Sequence, residues 1–177
     1  IATVNGHSYA NKRTANTNFA LLVSEKFTEP CKEPIAYGQH VARLANMLSG
    51  GILVQRFGDL LDGRRSTPER IKSSIITPTL QCATPGDLSL VLPYRQMTAI
   101  IEMLKALDKI APGVASRYTL LYGIEVKFYS GRVKLTKELE TEQVKNLFTI
   151  GDGAGVTRGL IQASASGVQV ARTICDR

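Results

Sequence analysis

Asn146-Leu147-Phe148-Thr149-Ile150-Gly151-Asp152-Gly153-Ala154-Gly155-Val156-Thr157-Arg158-Gly159-Leu160-Ile161 closes the chain, together with the segment 162–177. It reads as strand, tight glycine turn and helix. Leu147, Phe148 and Ile150 make a short apolar run of the kind a buried strand carries. Gly151, Gly153 and Gly155 allow a sharp turn and close approach of a ligand to the backbone. Thr157 is the expected N-cap of the following helix. That helix mixes Leu160, Ile161, Val168 and Ile174 with Gly159, Ala163, Ser164, Ala165, Gly167 and Ala171. Small residues on one face let a helix lie close against its neighbour. Asp152 puts a carboxylate at the strand's end, where open α/β sheets bind ligands. As a bare strand-to-helix turn, the same Asp would serve only as a polar end-cap.

Working back from the tail, residues 132–136 read as a strand. Residues 119–128 read as another, interrupted by Gly123, and Ser130-Gly131 would join the two as a hairpin. Residues 137–145 form a charged connector. The clearest upstream helix spans 93–110, with Pro93 at its first position and Met97, Ile100, Ile101, Met103, Leu104, Leu107 and Ile110 as an apolar stripe. A second helix covers 35–48 and ends at Gly50-Gly51. Residues 52–54 and 19–23 are short strand candidates. Residues 57–63 form a turn or short helix, and Asp87 is the expected cap of a turn at 85–88. Arg64-Arg65 lies on an exposed loop, where paired arginines serve either as a phosphate site or as solvated surface.

The 177 residues are 44% hydrophobic, which suits one globular domain or one domain with part of another. No apolar run reaches the roughly 18 residues of a membrane helix. The net charge of +7 comes from scattered cations without interleaved aromatics, which argues against a single-strand nucleic-acid track. Cys31, Cys82 and Cys175 show neither Cys-x-x-Cys nor zinc spacing, and only two histidines are present. No metal site is therefore expected. Unpaired cysteines fit a reducing compartment, hence a cytoplasmic protein.

Gly151-Asp152-Gly153-Ala154-Gly155 followed by residues 159–167 resembles the C-terminal flavin motif of FAD-dependent dehydrogenases of the glutathione-reductase type. The likeness is closest to the uncharacterised NAD(FAD)-utilising dehydrogenases. It continues upstream in order through Asn5-Gly6-His7-Ser8-Tyr9, Lys12-Arg13, Asn16-Thr17-Asn18, Gly50-Gly51, Gln55-Arg56-Phe57-Gly58-Asp59-Leu60, Pro85-Gly86-Asp87-Leu88, Leu92-Pro93 and Gly123-Ile124-Glu125. Within 125–133, only Glu125, Ser130 and Arg132 correspond to the family's pattern.

The resemblance implies an FAD site in the parent protein built from Gly151, Asp152, Gly153, Ala154, Gly155, Gly159, Leu160 and Ile161. Asp152 would accept a ribityl hydroxyl, and the helix N-terminus would face the flavin ring edge. His7, Tyr9, Lys12, Arg13, Glu125 and Arg132 are the substrate-side candidates. A nicotinamide dinucleotide, NAD(P)H, is the candidate electron partner. The βαβ unit with Gly-x-Gly-x-x-Gly that such enzymes carry is not in this sequence, and the chain starts at Ile1 without Met. The expectation is the C-terminal portion of a larger flavoprotein, whose missing N-terminal half supplies the rest of the FAD site. Its fold class would be α+β: residues 1–18 as a junction, an inserted mixed sheet-and-helix domain at 19–145, and at 146–177 the returning strand and helix of a split FAD-binding domain. The parent would be an FAD-dependent dehydrogenase acting on a small molecule, and the fragment alone inactive. The competing reading is a non-catalytic interaction or RNA-binding domain of a flavoprotein, motivated by the basic charge.

Overall fold

The computed structural model describes residues 1–6, 10–128 and 131–177. The chain divides into two compact units, Ile1–Val126 and Lys127–Arg177. Helices combine with a small mixed sheet, so the fold class is α+β.

In the first unit, α1 spans Pro34–Ser49. Its proline sits in the first turn, where the missing N–H costs no helical bond. Gly50 ends it in the left-handed conformation at φ 67°, its N–H bonded to the Asn46 carbonyl. The chain then enters β1, Leu53–Arg56, and passes directly into α2, Phe57–Leu61. The helix α3 covers Pro68–Lys72, with the Thr67 side chain accepting the Arg70 N–H. The short β2, Thr84–Pro85, pairs parallel with β1. Asp87 then caps a 3₁₀ turn at Leu88–Leu90 by accepting the Ser89 N–H at 2.9 Å, as its position before an apolar run predicts. The long α4 is Tyr94–Asp108, and β3, Leu120–Gly123, returns antiparallel on the other side of β1. The strand order is β2-β1-β3.

The core joins Val41 and Ala45 of α1, Leu53 of β1, Phe57 and Leu60 of α2, Met97 and Leu104 of α4, and Leu88, Val91 and Ile124. The stripe expected on α4 is narrower than its sequence implies. Met97 and Leu104 are buried, while Met103 faces solvent and Ile110 lies beyond the helix end. Pro93 is the N-cap rather than the first helical residue.

Three strand expectations fail. Residues 19–23 pair with no strand among the described residues; they run extended, with Leu21 packed on the core and Phe19 and Leu22 exposed. Among the described residues no ladder joins 119–128 to 132–136, and Ser130 of the expected turn lies outside them; Leu120–Gly123 pairs with β1. Leu135 instead bridges Thr141 antiparallel, and this fold-back turns the predicted connector at 137–145 into part of the second unit's framework. Residues 147–150 form no strand either. Phe148 makes an isolated bridge to Glu140, and the Thr141 N–H bonds to the Leu147 carbonyl at 2.8 Å. An extended segment with so few cross-chain bonds leaves polar backbone available for pairing.

The second unit also holds a 3₁₀ turn at Asp152–Ala154 and the helix α5, Leu160–Cys175. Its apolar interior is slight: Ala154 and Val170 are buried, whereas Leu147, Ile150, Leu160, Ile161, Val168 and Ile174 are exposed. A unit this small buries too little apolar surface to offset its own chain entropy comfortably.

Candidate functional site

The turn between residues 150 and 160 is built from backbone conformations that only glycine adopts readily. Gly151 lies at φ 73°, Gly155 at 67° and Gly159 at 128°. These three, rather than Gly151, Gly153 and Gly155, are the positions where the chain needs a positive φ. Gly153 lies inside the 3₁₀ turn, and a Cβ added there would meet nothing within 4 Å. Its value is open space beside the backbone.

Small residues of α5 set the distance of the helix from this turn. The Gly151 N–H donates to the Ser166 hydroxyl at 3.1 Å, and that hydroxyl donates to the Ala163 carbonyl at 2.7 Å. A Cβ at Gly151 would stand 3.7 Å from the Ala163 Cβ, and one at Gly167 would stand 3.6 Å from the Ile150 Cδ1. Ser166 is therefore a buried pin between turn and helix, and the sequence does not set it apart from Ser164 in the run Ala163-Ser164-Ala165-Ser166-Gly167.

Asp152 ties the turn to the start of α5. Its Oδ1 accepts the Thr157 hydroxyl at 2.7 Å, and its two oxygens lie 3.3 and 3.2 Å from the Gly159 nitrogen. Thr157 is thus not the N-cap. Gly159 holds that position, since φ 128° departs from helical geometry there, and the Thr157 hydroxyl is taken by the carboxylate. Among the described residues no side chain caps α5. Its first N–H groups and the positive end of its dipole are left for an anionic or carbonyl ligand.

The residues present fit an isoalloxazine-ribityl group. The carboxylate stands at the turn, Gly153 offers a face free of side chains, and the helix start is uncapped. Leu160 and Ile161, at 89% and 86% exposure, present apolar surface.

His7 and Tyr9 lie outside the described residues. Lys12 and Arg13 are exposed in an irregular stretch and Glu125 is half-buried, all in the first unit; Arg132 is exposed in the second. Among the described residues, no three His, Cys, Asp or Glu side chains are grouped to hold a metal. All three cysteines are free and exposed, and among the described residues no helix is long and apolar enough to cross a membrane.

Sequence reasoning missed a buried polar network in the first unit. Asp59, 1% exposed, accepts the Ser66 hydroxyl at 2.8 Å and the Arg64 Nε at 3.0 Å, and forms an ion pair with Arg70 at 3.7 Å. The Ser66 hydroxyl accepts the Arg56 N–H at 2.8 Å. Gln55, fully buried, donates to the Arg64 carbonyl and to Asp87, and accepts the Leu88 N–H at 2.8 Å. Buried polar groups persist when every member finds a partner, and this set fixes the loop 62–67 against the sheet. The signal was present in Gln55 and Asp59, which with Arg56 interrupt the otherwise apolar segment 52–61.

A sequence model of the family described as FAD-dependent protein, C-terminal domain-like, matches residues 1–128. The matched segment precedes the glycine turn. An uncharacterised protein of Clostridium beijerinckii (strain ATCC 51743 / NCIMB 8052) is 31% identical over 184 residues, covering 98% of this chain and 33% of the relative. The chain thus spans about a third of that relative's length. The match extends over well more than half of the 177 residues, and the chain belongs to the FAD-dependent protein C-terminal domain-like family.

Proposed function

We propose that this chain is the C-terminal part of an FAD-dependent oxidoreductase of the glutathione-reductase-like class, a dehydrogenase acting on a small molecule. Family membership supports a flavoprotein; the finer reading rests on the turn that Asp152 ties to Gly159 at the uncapped start of α5. In this reading residues 1–18 join two domains, 19–145 form the inserted domain, and 146–177 return to the FAD-binding domain. The exposed run 147–150 and the exposed apolar residues of α5 then pack on the preceding portion of the parent polypeptide.

Bound FAD supplies the hydride and electron chemistry. Asp152 orients the ribityl chain as a hydrogen-bond acceptor. The N-terminus of α5 holds its first N–H groups toward the ring edge that gains negative charge on reduction. Gly153 keeps that side clear of a Cβ, and Leu160 and Ile161 exclude water. A nicotinamide dinucleotide is the electron partner on the strength of the sequence resemblance alone, and a cytoplasmic location rests on the free cysteines.

The test is Asp152→Ala in the full-length parent. Loss of a charged acceptor, worth about 1.5–3 kcal/mol, weakens FAD retention by roughly one to two decades. Unchanged flavin content and affinity would reduce Asp152 to a turn residue and remove the observation on which the reading rests. The isolated chain is expected to purify colourless, since the dinucleotide half of the site lies in the N-terminal portion. A stoichiometric flavin spectrum from the 177-residue chain would contradict that division.

A further inference from the structure

Five arginines converge on one face of the first unit. Arg64 and Arg70 both reach the same oxygen of Asp59, at 3.0 and 3.7 Å. Arg64 and Arg117 both reach the same oxygen of Asp62, at 3.1 and 2.5 Å. Arg70 donates to the Arg65 carbonyl at 3.0 Å, which holds that loop residue beside it. Arg56 lies over the Tyr118 ring at 5.3 Å and reaches the Arg70 carbonyl at 3.5 Å; its Nε is buried and has no hydrogen-bond partner among the described residues.

We propose that Arg56, Arg64, Arg65, Arg70 and Arg117 form a binding site for a phosphorylated small molecule, held through its phosphate or diphosphate group. The carboxylates orient these guanidinium groups without neutralising them. Arg64, Arg70 and Arg117 pair with Asp59 and Asp62, and the Arg65 charge acts on Glu69; five positive charges against these three negative ones leave an excess of two. Asp59 Oδ1 is shared by Arg64 and Arg70 and Asp62 Oδ2 by Arg64 and Arg117, so each of these guanidinium groups spends only part of its five donors. Arg64 uses Nε and one terminal nitrogen, Arg70 one terminal nitrogen, and Arg117 one. The side chains of Arg64, Arg70 and Arg117 remain 49%, 37% and 56% exposed. Planar forks with free donors, fixed in place beforehand, are the geometry that recognises phosphate oxygens.

The positioning has a local cause. Gly58 allows the backbone at Arg117 to come against α2, with its N–H on the Arg117 carbonyl at 2.9 Å. That contact carries Arg117 to Asp62, from a segment 55 residues away in sequence. Asp59 is itself pinned by Ser66 and by the Arg64 N–H on its backbone carbonyl, so the cluster rests on a buried anchor. A compact cluster suits one phosphate or diphosphate; a polynucleotide would need a longer basic track, and the remaining cations are scattered. The proposal stands apart from the flavin reading, since none of these residues belongs to the segment 151–161.

The experiment is an NMR titration of the 177-residue chain with inorganic pyrophosphate at constant ionic strength, following the arginine Nε–H signals. Saturable shifts confined to the arginines named are expected, with a dissociation constant of about 1 mM or tighter. The double variant Arg65→Gln/Arg117→Gln leaves the Asp59 anchor intact and should weaken binding about tenfold or more, while its amide spectrum shows the fold retained. Arg43→Gln and Arg95→Gln, which lie outside the cluster, should leave affinity unchanged. Absence of saturation at about 10 mM pyrophosphate would overturn the proposal, as would equal shifts with matched sodium chloride. Unaltered affinity in the folded double variant would do the same.

Discussion

The Asp152 carboxylate and the Gly159 N–H stand 3.2 Å apart, closing a loop of glycine-rich chain onto the first turn of α5. The bond fixes where the helix begins. The Thr157 hydroxyl, 2.7 Å from the same carboxylate, adds a second tie. Any ligand role of Asp152 is therefore exercised by a side chain already held in place.

Asp152→Ala should loosen the loop even without ligand. The loss of one or two exposed hydrogen bonds corresponds to about 1 kcal/mol and a roughly fivefold faster exchange of the Gly159 amide. Hydrogen-exchange NMR on the isolated chain measures this directly. If Gly159 exchanges as in the unsubstituted protein, the carboxylate does not fix the helix start.

The glycines of the turn should separate by conformation. Gly155→Ala places a side chain at φ 67° and should cost about 1–2 kcal/mol. Gly153→Ala meets open space and no positive φ, so it should lie within about 0.5 kcal/mol of the parent sequence. Spacing alone makes the two equivalent. Chemical denaturation of both variants decides; equal losses would remove the conformational argument.

Gly58→Ala tests how closely α2 is approached. The added Cβ would lie 2.9 Å from both the Cβ and the carbonyl oxygen of Arg117, and backbone cannot swing aside as a side-chain tip can. A loss of about 1–3 kcal/mol in urea unfolding is expected. Gly51→Ala, with nothing within 4 Å of its Cβ, is the control. A Gly58→Ala protein as stable as that control would mean the contact is not close.

Two carboxylates should titrate low. The hydrogen bond from Arg117 holds Asp62 below its ordinary 3.8, and the bond from Arg177 holds Glu140 below 4.5. A depressed folded-state value means the stabilisation is present above the ordinary value and is lost as pH falls through the folded one. Carboxyl-detected NMR should find both midpoints below the ordinary values, with Arg117→Gln moving Asp62 back up and leaving Glu140 in place. An Asp62 midpoint indifferent to Arg117→Gln would show that the pair is not formed in solution.

By itself the sequence determined what depends on neighbours within a few residues. The apolar spacing of residues 35–48 and 93–110 yields α1 and α4, and Gly50 and Asp87 cap as their types require. The small residues of the tail bring α5 against Gly151 and Ile150. Tertiary structure decided everything that rests on choice of partner. Strand-forming residues at 120–123 pair with β1, more than 60 residues earlier, because that ladder also buries Leu53 and Ile124; the adjacent run at 132–136 has no such core to offer. A short apolar stretch such as 147–150 states a readiness to pair and nothing about with what. Gln55, Asp59 and Ser66 look like surface residues until packing removes their water, after which each must find the others. Helical periodicity is a property of local geometry, whereas ladders and buried polar networks are settled by free-energy differences between alternative partners far apart in the chain.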